Sequence, residues 1–133
     1  MTGGCACGAL RWRADGDPLT QGLCHCRSCQ RISGSGHVGW ITFPEAAVTI
    51  TGATRAAGRT GGSGRAATRF SCPTCNSNVY GTAEVIAGLI NLYAGSLDDP
   101  SQFKPTIAIF VSERPPWDDV SRDLKCFETV PSR

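Results

Sequence analysis

Two short cysteine segments decide the fold of this chain, Cys5-Ala6-Cys7-Gly8 near its start and Cys72-Pro73-Thr74-Cys75 near its middle. Zinc prefers thiolates in a tetrahedral shell, at about 2.3 Å from each sulfur. Closely spaced cysteines bend round one ion when a tight turn lies between them, and Pro73 favours such a turn. One pair alone is a weak signal, but two distant pairs complete a closed shell. We therefore predict a structural zinc ion that joins the start of the chain to its middle. Its four ligands are Cys5, Cys7, Cys72 and Cys75.

A third cysteine cluster, Cys24-His25-Cys26-Arg27-Ser28-Cys29, lies between the two pairs. Three ligands from one short segment leave one tetrahedral position free, and an open position is typical of catalytic zinc. Three crowded thiolates would repel one another strongly without a cation. We predict a second, catalytic zinc ion on Cys24, Cys26 and Cys29.

Other interpretations of the cysteines stay open at this point. They can be buried thiols or disulfides, or both zinc ions can be structural, with His25 or another residue closing the second shell. Redox chemistry at Cys72 and Cys75 lacks the βα context that it needs. Cys126 stands alone, and we expect a packed or surface thiol there. We expect His25 to be a hydrogen-bonded structural residue that points away from the neighbouring sulfurs.

Composition limits the class of protein. The chain has 133 residues, which suits a single domain over 1–133. Its formal net charge is only +2, and bound thiolates would remove that excess, so we expect no nucleic-acid or membrane-surface partner. We see no signal peptide and no apolar stretch of about 18 residues. We expect a soluble, cytoplasmic protein.

Short apolar runs rich in Val, Ile, Thr and aromatics, separated by Gly and Pro, predict strands. Trp12, Trp40 and Phe43 are expected in the core because aromatic residues in strands usually pack. The predicted strands are Leu10–Ala14, Gln21–Cys24, Val38–Phe43, Val48–Thr51, Ala67–Phe70, Leu89–Tyr93 and Thr106–Val111.

The signals for other elements are weaker. Arg27–Ile32 predicts one helical turn that ends at a Gly/Ser segment, and periodicity does not decide Val85–Ile90. Residues 60–64 predict a flexible hairpin tip rather than a phosphate loop, because the Gly-Lys-Ser/Thr ending is missing. We expect Trp117 to pin the C-terminal segment to the body.

Five motifs, in order along the chain, resemble those of one family. They are Gly3-Gly4-Cys5-Ala6-Cys7-Gly8-Ala9-Leu10-Arg11-Trp12, Cys24-His25-Cys26-Arg27-Ser28-Cys29-Gln30-Arg31 with Ser33-Gly34, Phe70-Ser71-Cys72-Pro73-Thr74-Cys75, Gly95-Ser96-Leu97-Asp98-Asp99-Pro100, and Pro116-Trp117. The family is that of the glutathione-dependent formaldehyde-activating enzymes, also called the centromere protein V/GFA domain family.

The resemblance implies a mainly β fold of the Mss4-like, or β-tent, type, with small antiparallel sheets around zinc-binding cysteine knuckles. It implies the same structural and catalytic zinc ions as the spacing does. The implied activity joins formaldehyde to glutathione as S-hydroxymethylglutathione, a carbon–sulfur lyase reaction in reverse. The motifs specify metal binding more narrowly than the small thiol or the aldehyde.

This chain departs from the family at Asn76, where Gly is common, and at Ala6, where His is common. Asn tolerates the left-handed conformation, so the turn is expected to survive.

Three further residues are candidates for substrate contacts. Arg27 and Arg31 adjoin the open zinc site and are predicted to pair with the carboxylates of glutathione. His37 is a candidate proton carrier near that site. The alternative to an enzyme is a non-catalytic binding module stabilised by two structural zinc ions. Recognition of nucleic acid by a zinc-ribbon surface is disfavoured by the low basic charge.

Overall fold

The computed structural model describes residues 1–121 and 123–131. Strands dominate the described part of the chain, and the one α-helix, α1 (Arg27–Ser33), has seven residues. The strands are β1 (Thr2–Gly4), β2 (Arg11–Ala14), β3 (Thr20–Cys24), β4 (Val38–Pro44), β5 (Val48–Thr51), β6 (Arg55–Thr60), β7 (Ala66–Ser71), β8 (Asn78–Ala83), β9 (Leu89–Tyr93), β10 (Ile107–Ile109) and β11 (Lys125–Cys126). Short 3₁₀ helices span Glu45–Ala47, Glu84–Ile86, Ala94–Ser96, Pro100–Gln102 and Val111–Glu113. The expectation of a mainly β fold is confirmed.

The strands form two sheets. The smaller sheet is antiparallel and has the order β1-β2-β5. The larger sheet has the order β11-β10-β3-β4-β9-β8-β7-β6. It is antiparallel except that β10 pairs in parallel with both β3 and β11. This order places the end of β3, which carries Cys24, beside β4 and β10.

A main core fills the space between the two sheets. Trp12 of β2 and Phe43 of β4 are buried there with Leu10, Ile41 and Leu92. Each such side chain contributes roughly 1.5–3 kcal/mol to folding by leaving water. Trp40 is buried as well, so the three aromatic residues predicted for the core are confirmed.

A second, smaller core surrounds the middle cysteine cluster. Cys26 and Cys29 are buried there with Val38, Tyr93 and Phe110. The backbone of Phe110 is in the left-handed region, at φ 54°. That conformation ends β10 at Ile109, so the strand is shorter than the predicted Thr106–Val111.

Each of the seven predicted strands overlaps an observed one, but β1, β6, β8 and β11 were not predicted. The side chains of β6 are mostly exposed, so its sequence shows no apolar alternation. The undecided run at 85–90 divides at Gly88, whose φ of 81° separates a 3₁₀ helix from β9. The helical turn is confirmed as α1, and Gly34 caps it at φ 66°.

The expectation for Trp117 is wrong. Trp117 is 72% exposed. The turn around it is held by a backbone hydrogen bond instead, in which the Asp118 N–H donates to the Pro115 carbonyl at 3.1 Å. No helix in the described ranges is both long and apolar enough to cross a bilayer.

Candidate metal centres

The four sulfurs of the two outer cysteine pairs come together between the small sheet and the turn after β7. The Sγ of Cys7 lies 3.6 Å from that of Cys5 and 3.7 Å from that of Cys72. All four Sγ atoms, including that of Cys75, lie within 4.8 Å of one another. Sulfurs at the corners of a zinc tetrahedron are about 3.8 Å apart. The quartet therefore has the chemistry and the spacing of a closed zinc site.

Two tight turns hold this quartet. In the first, the Gly8 N–H donates to the Cys5 carbonyl at 3.1 Å, and Gly8 takes φ 79°. In the second, the Asn76 N–H donates to the Cys72 carbonyl at 2.9 Å, and Asn76 takes φ 62°. The left-handed conformation expected at Asn76 is therefore observed, and the turn survives without Gly.

Hydrogen-bond donors aimed at two of these sulfurs, those of Cys5 and Cys75, favour the thiolate form. The Leu10 N–H donates to the Sγ of Cys5 at 3.2 Å and lowers the pKa of that thiol. Ser77 lies 3.2 Å from the Sγ of Cys75 and is the main reason that the pKa of Cys75 falls to about 5. The same Ser77 hydroxyl accepts from the N–H of Ala6 at 3.0 Å, so it also joins the two turns.

The middle trio forms a second cluster at the junction of β3 and α1. Cys24 ends β3, and the Sγ of Cys26 caps α1 by accepting from the Cys29 N–H at 3.3 Å. The three Sγ atoms lie within 4.8 Å of one another. Hydrogen bonds from Cys24 and Cys29 lower the pKa of Cys26, whereas the interaction with Cys26 raises the pKa of Cys24. Ionisation of one thiol therefore disfavours ionisation of its neighbours, and a cation is needed to hold all three as thiolates.

A cavity of about 300 Å³ opens directly onto the trio, and no quartet cysteine is among the described residues that line it. Its walls come from β4, β7, β8 and β9, and the hairpin tip between β6 and β7 closes one side. A Cβ on Gly62 of this tip would lie 2.7 Å from the Cβ of Cys26, so the tip packs onto the cysteines only because residue 62 is Gly. Lining side chains include Cys24, Cys26, Cys29, Val38, Trp40, Arg69, Asn91, Tyr93 and Phe110.

Two arginines beside the trio were not predicted from the sequence. Arg69 of β7 donates to the Sγ of Cys29 at 3.2 Å and to the Tyr93 hydroxyl. Arg59 of β6 donates to the Ser28 carbonyl at 3.0 Å. Among the described residues, no carboxylate forms an ion pair with either guanidinium. Arg69 interrupts an otherwise uncharged predicted strand, and that was the one sequence signal that pointed to it.

Burial and neighbouring charges shift the pKa values of Arg59, Arg69 and Tyr93 beside the trio. Burial lowers the pKa of Arg59, and the nearby Arg69 lowers it further. Burial also opposes the charge on Arg69, but Tyr93 and Cys29 outweigh it, so the pKa of Arg69 rises. Burial raises the pKa of Tyr93 to about 12, so its phenol is protonated at neutral pH.

The predicted substrate contacts lie elsewhere. Arg27 is exposed, and its side chain donates to Gln30; Arg31 is exposed as well. The Nδ1 of His37 lies 2.7 Å from the carboxylate Oδ2 of Asp118. Within the described part of the chain, none of the three lines the cavity. Cys126 is an exposed free thiol, as expected.

The expectation that His25 is hydrogen-bonded through its side chain is wrong. Its ring is fully buried, and neither ring nitrogen has a hydrogen-bond partner among the described residues. Potential metal-ligand atoms cluster a third time here, since those of His25, His37 and Asp118 lie within 4.8 Å of one another.

Comparison with solved structures finds a similar fold. A crystal structure of a Rhodobacter sphaeroides protein, determined in a structural genomics programme, matches with a TM-score of 0.58 at 19% sequence identity. The match covers 76% of this chain and 93% of that chain, and at this identity it shows the fold alone. None of the curated proteins matches the chain.

Comparison with protein families gives the assignment. The sequence model described as glutathione-dependent formaldehyde-activating enzyme matches residues 1–113. That range contains both cysteine clusters, the strands β4, β7, β8 and β9 that line the cavity, and Arg59 and Arg69 beside the trio. The chain belongs to the family of glutathione-dependent formaldehyde-activating enzymes.

Proposed function

We propose that this protein is a zinc-dependent enzyme of the carbon–sulfur lyase type that adds a small thiol, such as glutathione, to formaldehyde or a related aldehyde. The observation that carries the proposal is the contrast between the two cysteine clusters. The quartet supplies four sulfurs, whereas the trio supplies three and faces a cavity. The family supports glutathione and formaldehyde as the partners.

The trio fits a catalytic metal site in its donor set. Cys24, Cys26 and Cys29 offer three thiolates, and the cavity leaves room at the fourth tetrahedral position. Zinc held there would bind the substrate thiol and lower the pKa of that thiol, which makes it a nucleophile at neutral pH. The quartet on Cys5, Cys7, Cys72 and Cys75 is proposed as the structural site.

Arg69 offsets the excess negative charge of the trio. Three thiolates outnumber the two positive charges of one zinc ion, so the site carries net negative charge. The donation from Arg69 to Cys29 draws electron density away from one thiolate. Arg59, held on the Ser28 carbonyl, adds a second cation nearby. Both cations favour the approach of a substrate thiolate to a site that would otherwise repel it.

Tyr93 is the group on the cavity wall that is suited to the aldehyde oxygen. Its hydroxyl accepts from Arg69, which leaves its own O–H free to donate. The raised pKa keeps that proton in place at neutral pH. In the balanced reaction, the thiol sulfur forms a bond to the aldehyde carbon, and the proton lost by the thiol ends on the aldehyde oxygen. Tyr93 is proposed to stabilise the oxygen while that proton arrives from water.

The cavity is proposed to hold the two substrates close together. Its apolar walls, including Trp40 and Phe110, hold the thiol and the aldehyde next to each other and limit the water around them. All eight cysteines are free of disulfides. Free thiols persist in a reducing compartment, and we propose that the protein works in the cytoplasm.

Formaldehyde consumption in the presence of glutathione tests this function. The Cys26→Ser variant removes one thiolate of the trio but keeps a side-chain cap on α1, since Ser is a favoured cap residue. The matched control is Cys126→Ser, which changes an exposed thiol outside both clusters. We expect the first variant to fall to the uncatalysed rate and the second to keep full activity. Equal rates for Cys26→Ser and the unaltered protein would refute the proposal.

A further inference from the structure

A cluster of three potential metal ligands lies outside the two sets of cysteine sulfurs, although its His25 stands between Cys24 and Cys26 of the trio in sequence. His37 Nδ1 is 2.7 Å from Asp118 Oδ2, and His25 Nε2 is 4.0 Å from the same oxygen. The rings of His25 and His37 have centroids 5.2 Å apart. The three residues come from the β3–α1 junction, the start of β4 and the turn at residue 118, which are far apart along the chain.

His25 is the unusual member of this cluster. Its backbone is fixed on both sides, since its N–H donates to the Ile109 carbonyl at 3.0 Å and its carbonyl accepts from Gln30 at 2.7 Å. Its ring is fully buried with both nitrogens unpartnered among the described residues. Buried polar groups almost always have a partner, and an exception needs an explanation such as an ion. At 4.0 Å the carboxylate of Asp118 is too far for a hydrogen bond.

The carboxylate is held firmly in place. A Cβ on Gly36 would lie 2.2 Å from Asp118 Oδ2, so the backbone before His37 packs directly on the carboxylate. Arg114 donates to the backbone carbonyl of Asp118 and fixes the turn from the other side. Asp118 is therefore positioned by packing and backbone contacts, independently of any bond to His25.

We propose that His25, His37 and Asp118 bind a third metal ion, a divalent first-row transition metal such as zinc. Two imidazoles and a carboxylate are a common ligand set for such ions. Ligand atoms at about 2.0–2.2 Å from zinc lie roughly 3–3.5 Å apart. The two observed distances to Asp118 Oδ2 lie on either side of that range, so small side-chain movements complete the site. The bound ion gives one ring nitrogen of His25 a partner and joins the turn at Asp118 to the rest of the fold.

Metal titration followed by nuclear magnetic resonance tests this site. The chain has two histidines, and both lie in this cluster, so once the trio next to His25 is saturated, further shifts of the histidine ring resonances report on this cluster. Zinc is added to reduced protein whose two cysteine clusters are already saturated. We expect a third equivalent to bind and to shift the ring resonances of both His25 and His37.

Two variants separate metal binding from a simple hydrogen bond. Asp118→Asn keeps an acceptor facing His37 but removes the anionic ligand, and His37→Ala removes one imidazole. Both are expected to lose the third equivalent while they retain the two equivalents at the cysteine clusters, which shows that they are folded. The control is Asp17→Asn, an equal charge change at an exposed position, and it is expected to bind three equivalents. Saturation of the unaltered protein at two equivalents, with unshifted ring resonances, would overturn the proposal, as would a third equivalent in both variants.

Discussion

Replacing Arg69 with Met tests how much the guanidinium contributes to metal binding at the trio. Met keeps most of the length of the side chain but removes its charge and its donation to the Sγ of Cys29 at 3.2 Å. A hydrogen bond to a charged group contributes about 1.5–3 kcal/mol, and each 1.4 kcal/mol is a tenfold change in affinity. The zinc affinity of the trio is therefore expected to fall roughly 10- to 100-fold.

Competition with a coloured zinc chelator measures this change. No quartet cysteine lines the cavity or shares a hydrogen bond with Arg69 among the described residues, so the zinc of the quartet is expected to leave at an unchanged chelator concentration. The matched control is Arg65→Met, since Arg65 is an exposed residue of the same hairpin that pairs with Glu84 at the surface. Arg69→Lys is expected to recover part of the affinity because it restores the charge. Equal trio affinities in Arg69→Met and the unaltered protein would refute the reasoning.

Two further predictions concern the quartet. Asn76→Ala places a residue with a Cβ and no local polar side chain at φ 62°, so the free energy of unfolding of the zinc-loaded protein, measured in urea, is expected to fall by about 1–2 kcal/mol. Asn76→Gly is expected to stay close to the unaltered protein. An unchanged urea midpoint in Asn76→Ala would contradict this. Ser77→Ala removes the main cause of the lowered pKa of Cys75, so protons compete with zinc for the sulfur of Cys75 more effectively. On acidification, zinc is therefore expected to leave the quartet at a higher pH than in the unaltered protein. Release at the same pH would show that Ser77 has no such role.

The cysteine groups could be predicted from the sequence because metal geometry restricts which spacings work. Cys24, Cys26 and Cys29 lie within six residues, so local chain geometry alone keeps their sulfurs close. Cys5 and Cys7 needed partners from a distant segment, and only one other close pair was available. The structure brings both sets of sulfurs together as grouped. Their occupancy by zinc stays a prediction.

The cavity walls could not be predicted in the same way. Arg59 and Arg69 lie on the same face of the β6–β7 hairpin because Arg59 pairs with Ala67 and Ala57 pairs with Arg69. That register depends on the turn at the hairpin tip, and β6 itself has no apolar pattern. Arg27 and Arg31 were chosen because they are close to the cysteines in sequence. Both residues are exposed on α1, whereas the arginines found beside the trio, Arg59 and Arg69, come from strands far along the chain.

The order of the cysteines has a consequence for how the protein is made. Cys7 and Cys72 touch across 65 residues of chain, so the first pair of quartet ligands leaves the ribosome well before the second. At about 5–20 residues per second, that interval is roughly 3–13 seconds. The trio is translated within it and is complete as soon as Cys29 appears. A nascent chain thus offers three neighbouring thiols to the cellular zinc supply before the quartet can assemble, and the ion that arrives first meets the proposed catalytic cluster rather than the proposed structural one.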